Sequence, residues 1–221
     1  MNRINTITLS GTLPAVFAGA ENEAPVSLSE VWLHDLELTR PGKYLIMAES
    51  GTGKSSLCSF IYGSRHDYSG TILFNDRDIS TLSVAEWCEV RRRHIALLPQ
   101  EMRLFGELTA MENILIKNRL TGRFSTERIM ELLDELEIAH KAHQRADRLS
   151  IGQQQRVATV RALCQPFDFV ILDEPVSHLD SRNNAILAGM VTRLAAENDA
   201  AVVATSVGNH LKIENPAILH L

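Results

Sequence analysis

The chain has 221 residues, 45% of them hydrophobic and 22% charged, with a formal net charge of -5 and a pI near 5.9. These are ordinary globular proportions, and the acidic balance argues against a general nucleic-acid binder, which shows a basic face. No apolar run approaches the roughly 20 residues that cross a bilayer, residues 1–6 lack a signal peptide's apolar core, and Cys58, Cys88 and Cys164 are too scattered for a disulfide frame or a zinc site. A cytosolic protein is expected, any business with a membrane passing through a partner.

In chain order, residues 4–9 and 31–38 alternate apolar and polar positions and read as strands of an antiparallel piece. Pro14, Gly19 and Pro25 mark a loop between them; its Phe17 either stacks on an adenine ring or covers the core edge. Tyr44-Leu45-Ile46-Met47 is a buried strand. It runs into Ala48-Glu49-Ser50-Gly51-Thr52-Gly53-Lys54-Ser55-Ser56, which opens a helix. Strand, glycine-containing loop and a helix with Lys-Ser in its first turn are the context of a phosphate-binding loop. Gly51 and Gly53 let backbone N–H groups turn inward, and the helix start adds its positive dipole end. In that pattern Lys54 reaches the β- and γ-phosphates and the Ser55 hydroxyl holds Mg²⁺. Ala48 stands where the pattern has its first glycine, which is tolerable if φ stays negative.

Gly70 to Asp76 reads as a short strand and turn, and 84–93 as a helix ending in the basic run Arg91-Arg92-Arg93-His94, a solvated helix end. Ile95-Ala96-Leu97-Leu98 is a buried strand ending in Pro99-Gln100, so Gln100 sits at a strand C-terminus, where ligands gather in open α/β sheets. Its amide suits coordination of Mg²⁺ or positioning of a water. From 103 to 165 the pattern is helical, at about 109–118, 126–138 and 152–165, which reads as a subdomain. The apolar residues of Met102 to Leu108 belong either to a docking surface or to the core. Phe169-Val170-Ile171-Leu172 then runs unbroken into Asp173-Glu174, a doubly covered parallel strand with carboxylates at its end. Asp173 suits a metal held through water, and Glu174 the polarisation of an attacking water. A helix over 182–197 and strands near 200–205 and 217–219 complete the chain.

Taken with Leu149-Ser150-Ile151-Gly152-Gln153-Gln154-Gln155-Arg156 and Ser177-His178-Leu179-Asp180, these motifs resemble the ATP-binding cassette (ABC) ATPases over nearly the whole chain. The resemblance implies an α/β P-loop NTPase fold of ABC type: a mixed or parallel sheet core, an N-terminal antiparallel β piece and a helical subdomain. It implies a single domain over 1–221, with a RecA-like core about 1–100 and 155–221 and the subdomain about 101–154. ATP and Mg²⁺ are the implied ligands. Ser50 to Ser56 and Phe17 hold the nucleotide, Ser55, Gln100 and Asp173 serve the metal, and Glu174, Gln100 and Lys54 carry catalysis. Ser150, Gly152, Gln153 and Asp180 act on the nucleotide of a second cassette in a head-to-tail homodimer or heterodimer.

The spacing is similar to the bacterial cassettes that drive lipoprotein release, macrolide export and cell-division remodelling. This implies a transmembrane permease-type partner docked near Gln100 to Leu108 and a place on the cytoplasmic face of the inner membrane. Three residues depart from the family pattern: Ala48, Ile151 in place of a signature glycine, and Ser206 in place of a histidine that contacts the γ-phosphate. His210, one helical turn on, either substitutes for it or, the better reading, is an ordinary surface histidine. A slow ATPase is the first expectation; an ATP-gated regulatory or scaffolding module with little or no hydrolysis is the second. A soluble ABC protein of DNA repair or translation would call for coiled-coil arms, tandem cassettes or basic surfaces, which the sequence does not offer.

Overall fold

The structure, a computed structural model, describes residues 2–221. Two sheets organise it. The N-terminal one is antiparallel, in the order β2 (Asp35–Thr39), β1 (Thr6–Pro14), β4 (Tyr68–Phe74), β5 (Arg77–Asp78). The second has five parallel strands in the order β6 (Ile95–Leu98), β7 (Phe169–Asp173), β8 (Ala201–Ser206), β3 (Lys43–Met47), β9 (Ala217–His220). Continuous apolar strands such as Phe169-Val170-Ile171-Leu172 arise because this sheet is covered on both faces.

Alternate residues of those strands feed two cores. Ile46, Phe169, Ile171, Ala201 and Val203 pack with α1 (Lys54–Ile61) and the antiparallel sheet. Leu45, Val170, Leu172, Val202 and Ala204 pack with α3 (Ala110–Asn118), α4 (Thr126–Glu135), α5 (Ile151–Leu163) and α6 (Ser181–Glu197). The helical segment after Gln100 is thus continuous with the sheet core, through α5. Each fully buried Leu, Ile or Phe contributes roughly 1.5–3 kcal/mol. Reciprocal capping boxes start α2 (Val84–Glu89) with Ser83 and Glu86, α3 with Thr109 and Glu112, and α5 with Ser150 and Gln153.

Two expectations change. Val31 and Trp32 are fully buried but do not pair as strand; β2 begins only at Asp35. Leu33 has φ +63, in the left-handed region that interrupts a pleat, so this alternation reflects side chains plugging a core from a loop. The second helix of the helical segment stops at Glu135, not near 138, because Glu137 turns left-handed at φ +58.

Candidate functional site

The C-terminal ends of β3 and β7 and the loop after β6 converge on one cleft of about 250 Å³. It is lined by Phe17, Ser50, Gly51, Gly53, Lys54, Ser55, Ser56, Gln100 and Glu174, with Val16 at its edge. Residues more than 150 positions apart in the chain therefore meet there. Gly51 and Gly53 have φ +87 and +101, and a Cβ on Gly53 would lie 2.9 Å from the Trp32 ring and 3.3 Å from Phe17. Glycine is required at 53 both by conformation and by this close approach. The indole of Trp32 donates to the Thr52 carbonyl at 2.9 Å, and the Thr52 hydroxyl donates to the Glu49 carbonyl at 3.0 Å. Thr52 thus faces away from the cleft, holding the loop's shape.

Inside the cleft, Lys54 Nζ donates to the Glu49 carbonyl at 2.7 Å and stands 3.8 Å from Glu174 Oε1. Ser55 Oγ lies 3.4 Å from Gln100 Oε1. Asp173 is 4% exposed, and its Oδ1 accepts from the Thr205 hydroxyl at 2.7 Å. The same hydroxyl accepts from the Glu174 N–H at 3.2 Å. Glu174 has φ +50, a strained setting for a non-glycine residue. Three further contacts fix it: its carbonyl accepts from Gln155 Nε2 at 3.0 Å and Ser177 Oγ at 3.2 Å, and Gln155 Oε1 accepts from the His178 N–H at 3.2 Å. Under the loop, burial and then the neighbouring Asp173 push the Cys58 thiol well up, so it stays protonated.

Ser150, Gly152, Gln153 and Asp180 lie outside this cleft. Ser150 is exposed at the start of α5, its hydroxyl accepting from the Gln153 N–H at 3.3 Å and its N–H donating to Gln153 Oε1 at 3.0 Å. Ile151, 53% exposed, points to solvent beside it. A Cβ on Gly152 would come 3.0 Å from the His178 carbonyl. Asp180 caps α6, accepting from the Asn183 N–H at 2.8 Å, a bond that holds its carboxyl below the usual range.

The other two departures are neighbours. Ala48 keeps a negative φ, and its N–H donates to the Ser206 carbonyl at 3.1 Å. Both line a second cavity of about 430 Å³ with Glu49, Thr52 and His220. Ser206 is 2% exposed and its hydroxyl has no hydrogen-bond partner. His210 is exposed, only its backbone carbonyl being engaged, by Asn184 Nδ2 at 2.9 Å. It sits in an irregular segment after β8, with no helical turn to carry it back to Ser206.

Sequence reading missed Trp32, Thr205 and Gln155, the three groups that hold the site's backbone. The oxygen donors of Ser55, Gln100 and Asp173 fit Mg²⁺, and no set of three His, Cys, Asp or Glu side chains suits a metal among the described residues. A single carboxylate is what a site needs when phosphates complete the shell.

A family model described as ABC transporter matches residues 34–177. The chain is 35% identical over 176 residues to the phosphonates import ATP-binding protein PhnC of Lactiplantibacillus plantarum, covering 74% of this chain and 68% of that one. It is 33% identical over 163 residues to the macrolide export ATP-binding/permease protein MacB of Campylobacter jejuni, covering 72% of this chain and 25% of MacB. The dimeric structure of MJ0796, a bacterial ABC transporter cassette, superposes with a TM-score of 0.77 at 25% identity over 97% of this chain and 94% of that one. The chain belongs to the ABC transporter family, as an ATP-binding cassette. It spans two thirds of the importer's length and a quarter of the exporter's, and no helix among the described residues is long and apolar enough to cross a membrane.

Proposed function

We propose that this cassette is the ATP-binding subunit of a membrane complex, in which ATP closes a dimer of cassettes and hydrolysis reopens it. The observation that carries this reading is the single cleft shared by Lys54, Ser55, Gln100 and Glu174, with the Ser150 helix start facing outward on the same chain. The backbone of Ser50 to Ser56 and Lys54 hold the phosphates, and Phe17, beside Gly53, stacks on the base. The Ser150 hydroxyl, Gly152 and the first N–H groups of α5 form a second anion site, completed across the dimer, with Gln153 and Asp180 beside it. Closure then depends on ATP because ATP binds the closed state preferentially. Mg²⁺, held by Ser55, Gln100 and the Asp173 shell, supplies charge neutralisation at the phosphates.

Glu174 accepts a proton as water forms its bond to the γ-phosphorus and the bond to the ADP oxygen breaks. Lys54 loses its Glu49 carbonyl to take the phosphates, which also frees Glu174 from the nearby ammonium. Turnover is slow on this reading. Ser206 is neutral, short and enclosed, and does not replace an imidazole's reach. One such electrostatic contact to a transition state is worth about 3 kcal/mol, or on the order of a hundredfold. The cavity beside Ser206 leaves room for a larger side chain, so Ser206→His is expected to raise ATP turnover by that order; equal turnover in the two proteins would refute the attenuation. The departures at Ala48, Ile151 and Ser206 are also what favours the second reading, a regulatory or scaffolding module gated by ATP binding alone, and Glu174→Gln separates the two, since it abolishes function only where hydrolysis matters.

PhnC is named for import and MacB for export, so the relatives leave the direction of transport open. The proposed partner is a permease-type membrane protein docking near Gln100 to Leu108, which places the cassette peripherally on the cytoplasmic face of the membrane. Recovery of an integral membrane protein with the tagged chain from detergent-solubilised membranes tests this; recovery of none counts against it.

A further inference from the structure

Beside the segment after Gln100 lies a group of cations with no counter-charge. Lys117 on α3 is half-buried, and its one protein partner is the Arg91 carbonyl at 3.2 Å. Burial and then the Arg161 guanidinium push its ammonium down to about 8. Arg161 on α5 donates to the Arg103 carbonyl at 2.8 Å and to the Met102 carbonyl. Arg91 lies over the Tyr62 and Trp87 rings, at 5.4 and 5.1 Å from their centroids, and donates to the Tyr62 and Gly63 carbonyls at 3.2 and 2.6 Å. The Tyr62 hydroxyl feels both guanidiniums, which oppose the upward push of its burial.

The three cations come from the helical segment after α2, from α3 and from α5; Arg161 acts on Lys117 and both guanidiniums act on Tyr62, yet none joins an ion pair among the described residues. In a chain with 27 acidic and 22 basic side chains, that local lack of acid is informative. Carbonyl dipoles compensate a half-buried ammonium only in part, and charges in such settings are commonly paired. The socket is also mechanically placed. Met102 and Arg103 are consecutive left-handed residues, φ +58 and +49, whose carbonyls Arg161 holds, and they follow Gln100 of the cleft by two and three positions. Phe105, in the same loop, is 57% exposed and offers an apolar contact beside the charges.

We infer that Lys117, Arg161 and Arg91 form a socket for an acidic side chain carried by the cytoplasmic segment of the membrane partner. The inference rests on the proposed membrane-complex reading and adds the chemistry of the contact. The incoming carboxylate takes Lys117 and competes with the Met102 and Arg103 carbonyls for Arg161. Docking is thereby felt at Gln100, which shares the nucleotide cleft.

The test uses the complex recovered from detergent-solubilised membranes, treated with a zero-length carbodiimide that joins a carboxylate to a touching amine, followed by peptide mass spectrometry. The expected result is an isopeptide between Lys117 Nζ and an Asp or Glu of the recovered membrane protein. Lys117→Glu is expected to lower recovery at least tenfold with ATP binding and thermal midpoint unchanged. Lys117→Arg is expected to keep the complex but abolish the link. A recovered complex with Lys117 unlinked, and a Lys117→Glu chain that recovers as much partner as wild type, would overturn the socket and leave the membrane-complex reading standing. A wild-type chain that recovers no membrane protein would overturn that reading and the socket with it.

Discussion

Thr205 serves two neighbours with one hydroxyl, donating to the Asp173 carboxylate and accepting from the Glu174 N–H. Asp173 is buried and Glu174 half-buried, so removal of the hydroxyl leaves each short of a partner. Thr205→Val keeps the branched shape and is expected to lower unfolding free energy by about 1–3 kcal/mol, read by urea denaturation, with reduced ATP turnover in the same preparation. At the opposite end of the sheet, Asp168 accepts from the Ile4 N–H and Arg3 Nε, each at 2.8 Å, and contacts His94 Nδ1 at 2.7 Å. Burial works to raise its carboxyl, but the His94, Arg3 and Ile4 contacts together outweigh it and hold it below the ordinary 3.8. The folded value is the depressed one, so the contribution to stability is complete above that ordinary value and fades as pH falls through the folded value. Asp168→Asn should therefore lower stability at neutral pH and flatten the loss between pH 4 and lower values, measured by urea midpoints across that range. These hydroxyl and carboxylate roles were not legible in the sequence. Thr205 reads as one more β-branched strand residue, and its meaning comes from a register that pairs it with Asp173, 32 positions earlier.

At the scale of elements, α5 and the turn after β7 are joined by the buried Gln155 amide, which donates to the Glu174 carbonyl and the Ser177 hydroxyl and accepts from the His178 N–H. The chain's exposed Ser150 end and its own Glu174 therefore share one rigid link. Gln155→Met has similar volume and removes all three bonds. It should raise amide exchange over residues 174–180 while the amides of α5 stay protected, since local opening follows the loss of few specific bonds; unchanged exchange there would mean the link is dispensable. Elements themselves were largely readable, because helices α3, α5 and α6 and strands β3, β6, β7 and β8 bury regular apolar patterns. The failure at 31–34 is equally physical. Val31 and Trp32 alternate as a strand would, but Trp32 reaches under the loop to the Thr52 carbonyl, and only the three-dimensional path shows it. The cleft was legible for a different reason: Lys54, Ser55, Gln100 and Glu174 each stand at the end of a strand or the start of a helix, where polarity changes abruptly.

For the whole molecule, the cleft of one chain brings together Ser50, Gly51, Lys54, Ser55, Gln100 and Glu174, while the Ser150 end of α5 lies apart from it and open to solvent. On the proposed reading, a cassette so built completes its site with a second copy or a related chain. On that reading the departures at Ile151 and Ser206 are expected to affect closure and turnover separately, the first across the dimer and the second within the chain. The most direct measurement is light scattering on size-exclusion chromatography of Glu174→Gln, with nucleotide quantified in each peak, in the presence and absence of ATP and Mg²⁺. The account predicts a monomer without nucleotide and a dimer with two bound ATP molecules when both are supplied; a saturated monomer, or a dimer carrying no nucleotide, would contradict it.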